Sequence, residues 1–127
     1  MKTIRFSLLA LFAATAGCSF AARSPEMYRD DTAAVLETRK AQIKTCYDEV
    51  LKTTKDAQGR VTVKFLVEHK TGQIKNIAPD PAGTTAPEPL TQCVVNSLQG
   101  LVLAPGDERD GDATFVYEFA PSPAPVG

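Results

Sequence analysis

The chain has 127 residues, 23% of them charged, with a formal net charge of −1 and a pI near 5.8. That length holds one domain, and so mild an electrostatic balance excludes a protein built to neutralise phosphate backbones, so no nucleic-acid partner is expected. One histidine, three cysteines and no tryptophan leave little material for metal or nucleophilic chemistry.

Residues 1–17 carry Lys2 and Arg5 ahead of an apolar run from Leu8 through Ala14. A charged start followed by an apolar run too short to span a bilayer reads as a signal peptide, outside the fold. Thr15, Ala16 and Gly17 then lead directly into Cys18. This resembles the lipobox of bacterial lipoproteins, departing from it at Thr15, where leucine is commonest. The resemblance implies cleavage before Cys18 and acylation of its thiol. With Ser19 rather than Asp next, it also implies transfer to the outer membrane, the domain lying on the periplasmic side. An ordinary secretory signal cut nearby, or an uncleaved anchor, is the alternative.

Loss of residues 1–17 leaves 12 basic residues against 15 acidic, a formal −3. The charges are unevenly spread. Residues 39–75 hold nine bases and four acids, whereas Arg109 is the one base after residue 75, against seven acids. Solvated faces that fold back on each other account for this pattern. The functional alternative is a basic surface, with Lys52, Lys55 and Lys64 as its candidates, facing peptidoglycan carboxylates or anionic lipid. If Cys18 is acylated, one pairing remains for the other thiols, Cys46 with Cys93, in a compartment that permits it.

Residues 18–30 mix Ala, Arg, Ser, Pro and Glu without periodicity and read as a tether between lipid and domain. Asp30, Asp31 and Thr32 offer N-cap oxygens for a long helix to about Thr53, with Val35, Leu36, Ile43, Cys46, Tyr47, Val50 and Leu51 on its apolar stripe. Residues 60–68 alternate cleanly, Val61, Val63, Phe65 and Val67 on one face, as a half-buried strand does. A turn through Gly72 returns the chain as a second strand over residues 73–77. Residues 79–89 are a Pro- and Gly-rich loop. A second helix follows to about Leu98, with Leu90, Cys93, Val94 and Leu98 on one face and Gly100 near its end. Each cysteine thus lies on the apolar stripe of its own helix, as a disulfide between helices requires.

Residues 107–112 read as a solvated acidic turn; they lack the spaced ligands and closing Glu of a calcium loop. Residues 113–119 alternate Phe115, Tyr117 and Phe119 against Thr114, Val116 and Glu118, a third strand whose aromatic face belongs to the core. Residues 120–127, with three prolines, read as an extended tail. His69 reads as a solvated turn residue. No catalytic residue, metal ligand or cofactor is expected, and the chain is not expected to be an enzyme.

The expected fold is therefore α+β, in the order α-β-β-α-β. A small three-stranded antiparallel sheet carries two disulfide-linked helices on one face, over a domain spanning 31–119. The pattern Ile43-x-x-Cys46-Tyr47, then residues 59–65, then Gly72-x-Ile74, Cys93-Val94 and residues 115–119 resembles the AgmX/PglI-type C-terminal domain. That family is similar in layout to the C-terminal domains of TonB energy transducers, and paired cysteines are one of its hallmarks. The resemblance covers about residues 35–119. Against it, Leu101-Val102-Leu103-Ala104-Pro105 stands where an aromatic pair is usual, and the transmembrane anchor and long spacer of a transducer are missing. The resemblance implies a periplasmic interaction module rather than energy transduction. An open sheet of this kind has free edges, so an envelope protein is expected to add a strand at Thr114, Val116 and Glu118. A passive structural lipoprotein touching peptidoglycan or the membrane surface through its basic residues 39–75 is the alternative.

Overall fold

A computed structural model describes residues 20–121. Cys18, the signal segment 1–17 and residues 122–127 of the proline-rich tail lie outside these. The described chain is α+β: α1 (Pro25–Glu37), α2 (Lys40–Thr53), β1 (Gly59–Val67), β2 (Ile74–Pro79), a 3-10 turn (Pro81–Gly83), α3 (Glu88–Ser97) and β3 (Gly111–Phe119).

The three strands form one antiparallel sheet in the order β2-β1-β3. Val61, Val63 and Val67 are fully buried and Phe65 nearly so, because the two-residue alternation turns all four toward the helices. Leu90 and Val94 come down on them from α3 and Leu98 from its C-cap, and Ile43 and Cys46 from α2. Cys46 and Cys93 are joined, with their Cα atoms 5.7 Å apart, so α2 and α3 are stapled together over the sheet. Phe115, Tyr117 and Phe119 are half-buried on the core face of β3. Phe115 stacks on Phe65 at 5.9 Å between ring centres, and Phe119 meets Tyr47 at 5.2 Å.

Two glycines are set by the turns they occupy. Gly100, at φ 82°, ends α3 in the left-handed conformation. Gly72, at φ 70°, closes the β1–β2 turn against the chain at Leu103, and a Cβ there would run into the Leu103 carbonyl oxygen. Gly72→Ala is therefore expected to cost more than the ~1–2 kcal/mol of left-handed strain alone, read as a lower urea midpoint at unchanged slope.

The N-terminal part differs from expectation. The single helix of residues 30–53 is two helices, and the first begins at Pro25, inside the supposed tether of residues 18–30. The cause is local. Ser24 caps α1, its Oγ accepting from Met27 N at 3.2 Å, with Pro25 in the first turn, where a missing N–H costs nothing, and Glu26 beside it. The break falls at Thr38 and Arg39, whose amides donate to Val35 and Leu36 carbonyls in a tightened last turn. The bend frees α1 from the α2–α3 layer and lays it beside β3. Tyr28 packs against Gly111 at one end, and Glu37 acts on the Tyr117 hydroxyl at the other.

Candidate functional site

Of the two sheet edges, β2's is closed. Ile74 N donates to Leu101 O, Leu103 N donates to Gly72 O, and Gln73 bridges to Val102. A register shift interrupts β2, Asn76 sits at φ 55°, and the strand ends in Pro79. Each of these features spoils an edge as a pairing template. The edge of β3 has none of them. It pairs with β1 without interruption from Gly111↔Val67 to Phe119↔Gly59, and among the described residues no backbone bond leaves it for any segment but β1.

The neighbours of β1 fix which groups of β3 are free. Thr85 N donates to Arg60 O and Asp80 N to Thr62 O, so the even-numbered residues of β1 point away from β3. By alternation, Val61, Val63 and Phe65 point toward it and bond to Tyr117, Phe115 and Ala113. Asp112, Thr114, Val116 and Glu118 then hold their N–H and C=O groups toward the open edge. Their side chains lie on the exposed face, with Val116 53% exposed. The three residues expected at the pairing edge thus share one row, and Asp112 extends it.

Alongside this row lies a groove of about 380 Å³, walled by the first two turns of α1 and the first half of β3. Pro25, Tyr28, Val67 and Phe115 give it an apolar floor, and Arg29 and Asp112 stand at its rim. Among the described residues neither of these two charges has an ion pair. Gly111 makes room for the Tyr28 ring; a Cβ there would come within 2.8 Å of it. Tyr28 in turn donates from its hydroxyl to Arg109 O at 3.0 Å, tying α1 to the start of β3. Farther along, burial and then the Glu37 carboxylate push the Tyr117 hydroxyl up to about 12. Among the described residues that buried hydroxyl has no hydrogen-bond partner.

One end of the groove is held by a cluster with no counterpart in the sequence reading. Ala21 N donates to Gly106 O at 2.9 Å and Glu108 N to Ala21 O at 3.0 Å, so residue 21 pairs with the 106–108 segment. Beside it Asp107 is 0% exposed, not solvated as the acidic turn was expected to be. Its carboxylate accepts from Arg23 N at 2.9 Å and Arg109 N at 3.0 Å, and Lys70 N donates to its carbonyl. The Arg23 side chain, 4% exposed, is bonded through Nε to Asp31 at 2.6 Å and has Nη1 3.7 Å from Asp107. Burial alone would raise the Asp107 pKa. The two backbone donors and the Arg109 and Arg23 charges outweigh it and hold the carboxyl below the usual range. Residues 21–24 are therefore part of the body, and the tether ends before them.

Outside the groove, Lys52 pairs with Glu49 at 2.7 Å and Lys64 with Asp80 at 3.4 Å, while Lys55 is exposed in the turn after α2. Lys40 and Lys44 likewise meet Glu37 and Asp48. His69 is half-exposed, its Nδ1 2.6 Å from Asp110. Among the described residues no group of three or more His, Cys, Asp or Glu side chains is placed to hold a metal ion, and no helix is long and apolar enough to cross a membrane. No family model matches this chain, and no curated protein or solved structure is significantly similar to it.

Proposed function

We propose that this chain is a lipid-anchored periplasmic interaction module of the outer membrane. In this reading it takes an extended segment of an envelope protein as a fourth strand on the free edge of β3. The observation that carries the proposal is the asymmetry of the two edges: β2's is blocked, while β3 offers an unbroken row at Asp112, Thr114, Val116 and Glu118 beside an apolar groove. Main-chain bonds along such a row supply affinity, and the groove takes alternate side chains of the added strand. The lipobox-like Cys18 and the AgmX/PglI resemblance support the placement and the role.

Thr114→Pro and Val116→Pro test the edge. Each removes a donor that faces outward, so the β1 ladder keeps its bonds. Capture of an envelope partner by the purified domain is expected to be lost in both variants, with circular dichroism and the melting transition close to wild type. Retained capture by a folded variant would refute strand addition. Contact with peptidoglycan through Lys52, Lys55 and Lys64 is the weaker reading, because neighbouring acids already meet two of the three.

A further inference from the structure

The latch at residues 21–23 changes what a lipid on Cys18 would do. Ser19 and Phe20 alone separate Cys18 from Ala21, so the lipid-bearing residue lies at most about 11 Å from a residue hydrogen-bonded into the body. Ala21 is held at both its N–H and its C=O by the 106–108 segment. Two residues on, Arg23 is buried and bonded through its amide, its carbonyl and its side chain. This is no leash. A chain so short and so firmly held cannot let the domain stand off from the surface to which its first residue is fixed.

We propose that the domain rests on the bilayer by the end that carries the latch, with the 106–108 segment and the mouth of the α1–β3 groove at head-group level; this rests on the reading of Cys18 as the acylated residue. The occupant of that end is the phospholipid surface itself. The argument is the length of chain between anchor and body, together with the place where the body begins. One apolar side chain at this end suits such a surface. Phe20 is 44% exposed between anchor and latch. Lys70 is exposed there too, but so are Glu108, Asp110 and Asp112, and Arg109 Nη2 already donates to Arg23 O, so the short anchor and not charge holds this end at the surface. The opposite end of the sheet, where α2 turns into β1 at Lys55, lies about 27 Å away along the strands. The groove shares the anchored end, since Pro25, Arg109 and Gly111 line it. A strand entering it would therefore come from a partner segment lying on the membrane or just emerging from it.

The absence of tryptophan from the chain allows a direct test. Glu108→Trp places a fluorophore beside the latch and Met27→Trp a second one in the first turn of α1. Lys55→Trp marks the far end. Each full chain is expressed with its own signal in a bacterial host, purified from membranes and weighed by mass spectrometry. It is then reconstituted into phosphatidylethanolamine–phosphatidylglycerol vesicles that contain a lipid with a nitroxide on its head group. With acylation confirmed, E108W and M27W are expected to lose most of their emission and K55W almost none. A Gly-Ser insertion of about 20 residues after Ser19, with a reach of roughly 25 Å, should restore the emission of E108W. Equal quenching at both ends, or none at E108W in an acylated and folded protein, overturns the proposal and leaves the anchor standing. A mass without acyl groups overturns both.

Discussion

Replacing either Cys46 or Cys93 by serine is expected to lower the melting temperature by roughly 20 °C, given a disulfide worth about 4 kcal/mol for a loop of this length. The bridge spans 47 positions and links α2 to α3 above β1, so in the reduced chain most of the core-forming segment gains freedom on unfolding. The native layer would also lose a covalent tie in a domain whose whole stability is about 5–10 kcal/mol. The double variant is expected to melt where the single ones do, because each single change already removes the whole constraint. Additive losses in calorimetry would mean that the two sulfurs are not joined in the purified protein. Neither cysteine borders the β3 edge, so at a temperature where the variants remain folded, partner capture should survive their loss.

The second large effect is expected at Asp107. Asp107→Asn keeps the size of the side chain but removes the negative charge that faces Arg23, which would stay buried with only half-exposed Asp31 to meet it. Removing one partner of a buried ion pair costs about 3–5 kcal/mol. The Asp31 contact should hold the loss near 3 kcal/mol, measured by urea unfolding. Asp31→Asn is the control. Its carboxylate is 49% exposed while the Arg23 it meets is 4% exposed, so losing this half-open pair is expected to cost less than losing Asp107, about 1–2 kcal/mol. Hydrogen exchange at Ala21 N–H, which donates to Gly106 O, should accelerate in D107N while the β1 amides exchange only as fast as global unfolding allows. The pH dependence follows in sign. The Asp107 carboxyl is held below its ordinary value in the folded state, so the stability it contributes is complete above about pH 4 and is lost as the pH falls through the lower folded value. D107N should show a shallower acid limb than the parent.

The parts of this molecule that were legible in sequence are those whose signal is local. The alternation of Val61, Val63, Phe65 and Val67 marks a half-buried strand whatever surrounds it. Ile43 and Cys46, like Leu90, Cys93 and Val94, repeat at helical spacing because each pair of turns must bury one stripe. Alternation also places Thr114, Val116 and Glu118 in one outward row, but which edge of the sheet is free depends on the order β2-β1-β3 and on the 101–103 segment that closes the other one. The extent of α1 was missed because its buried face is thin. Thr32 and Leu36 are its only buried residues, too few to produce a clear period, although Ser24-Pro25-Glu26 carries the cap chemistry that starts it. The latch could not be read at all. Arg23 and Asp107 are 84 positions apart, and each looks like a surface charge until the fold brings them together. Asp107 in particular was masked by Glu108, Asp110 and Asp112, which are solvated as their composition suggests.

The charges on the outward row of β3 also bear on what the edge refuses. Two copies of the chain could meet there as antiparallel strands. The register that pairs all nine residues of β3 with its twin would set Asp112 of each copy opposite Glu118 of the other and Thr114 opposite Val116. Like charges directly across a sheet repel, and the repulsion would occur twice, once at each end of the seam. Self-recognition in full register is thus vetoed by the same row that invites a guest. A guest strand with Lys or Arg at those two outer positions would turn the veto into attraction, giving the edge a polarity of choice that its backbone alone does not have.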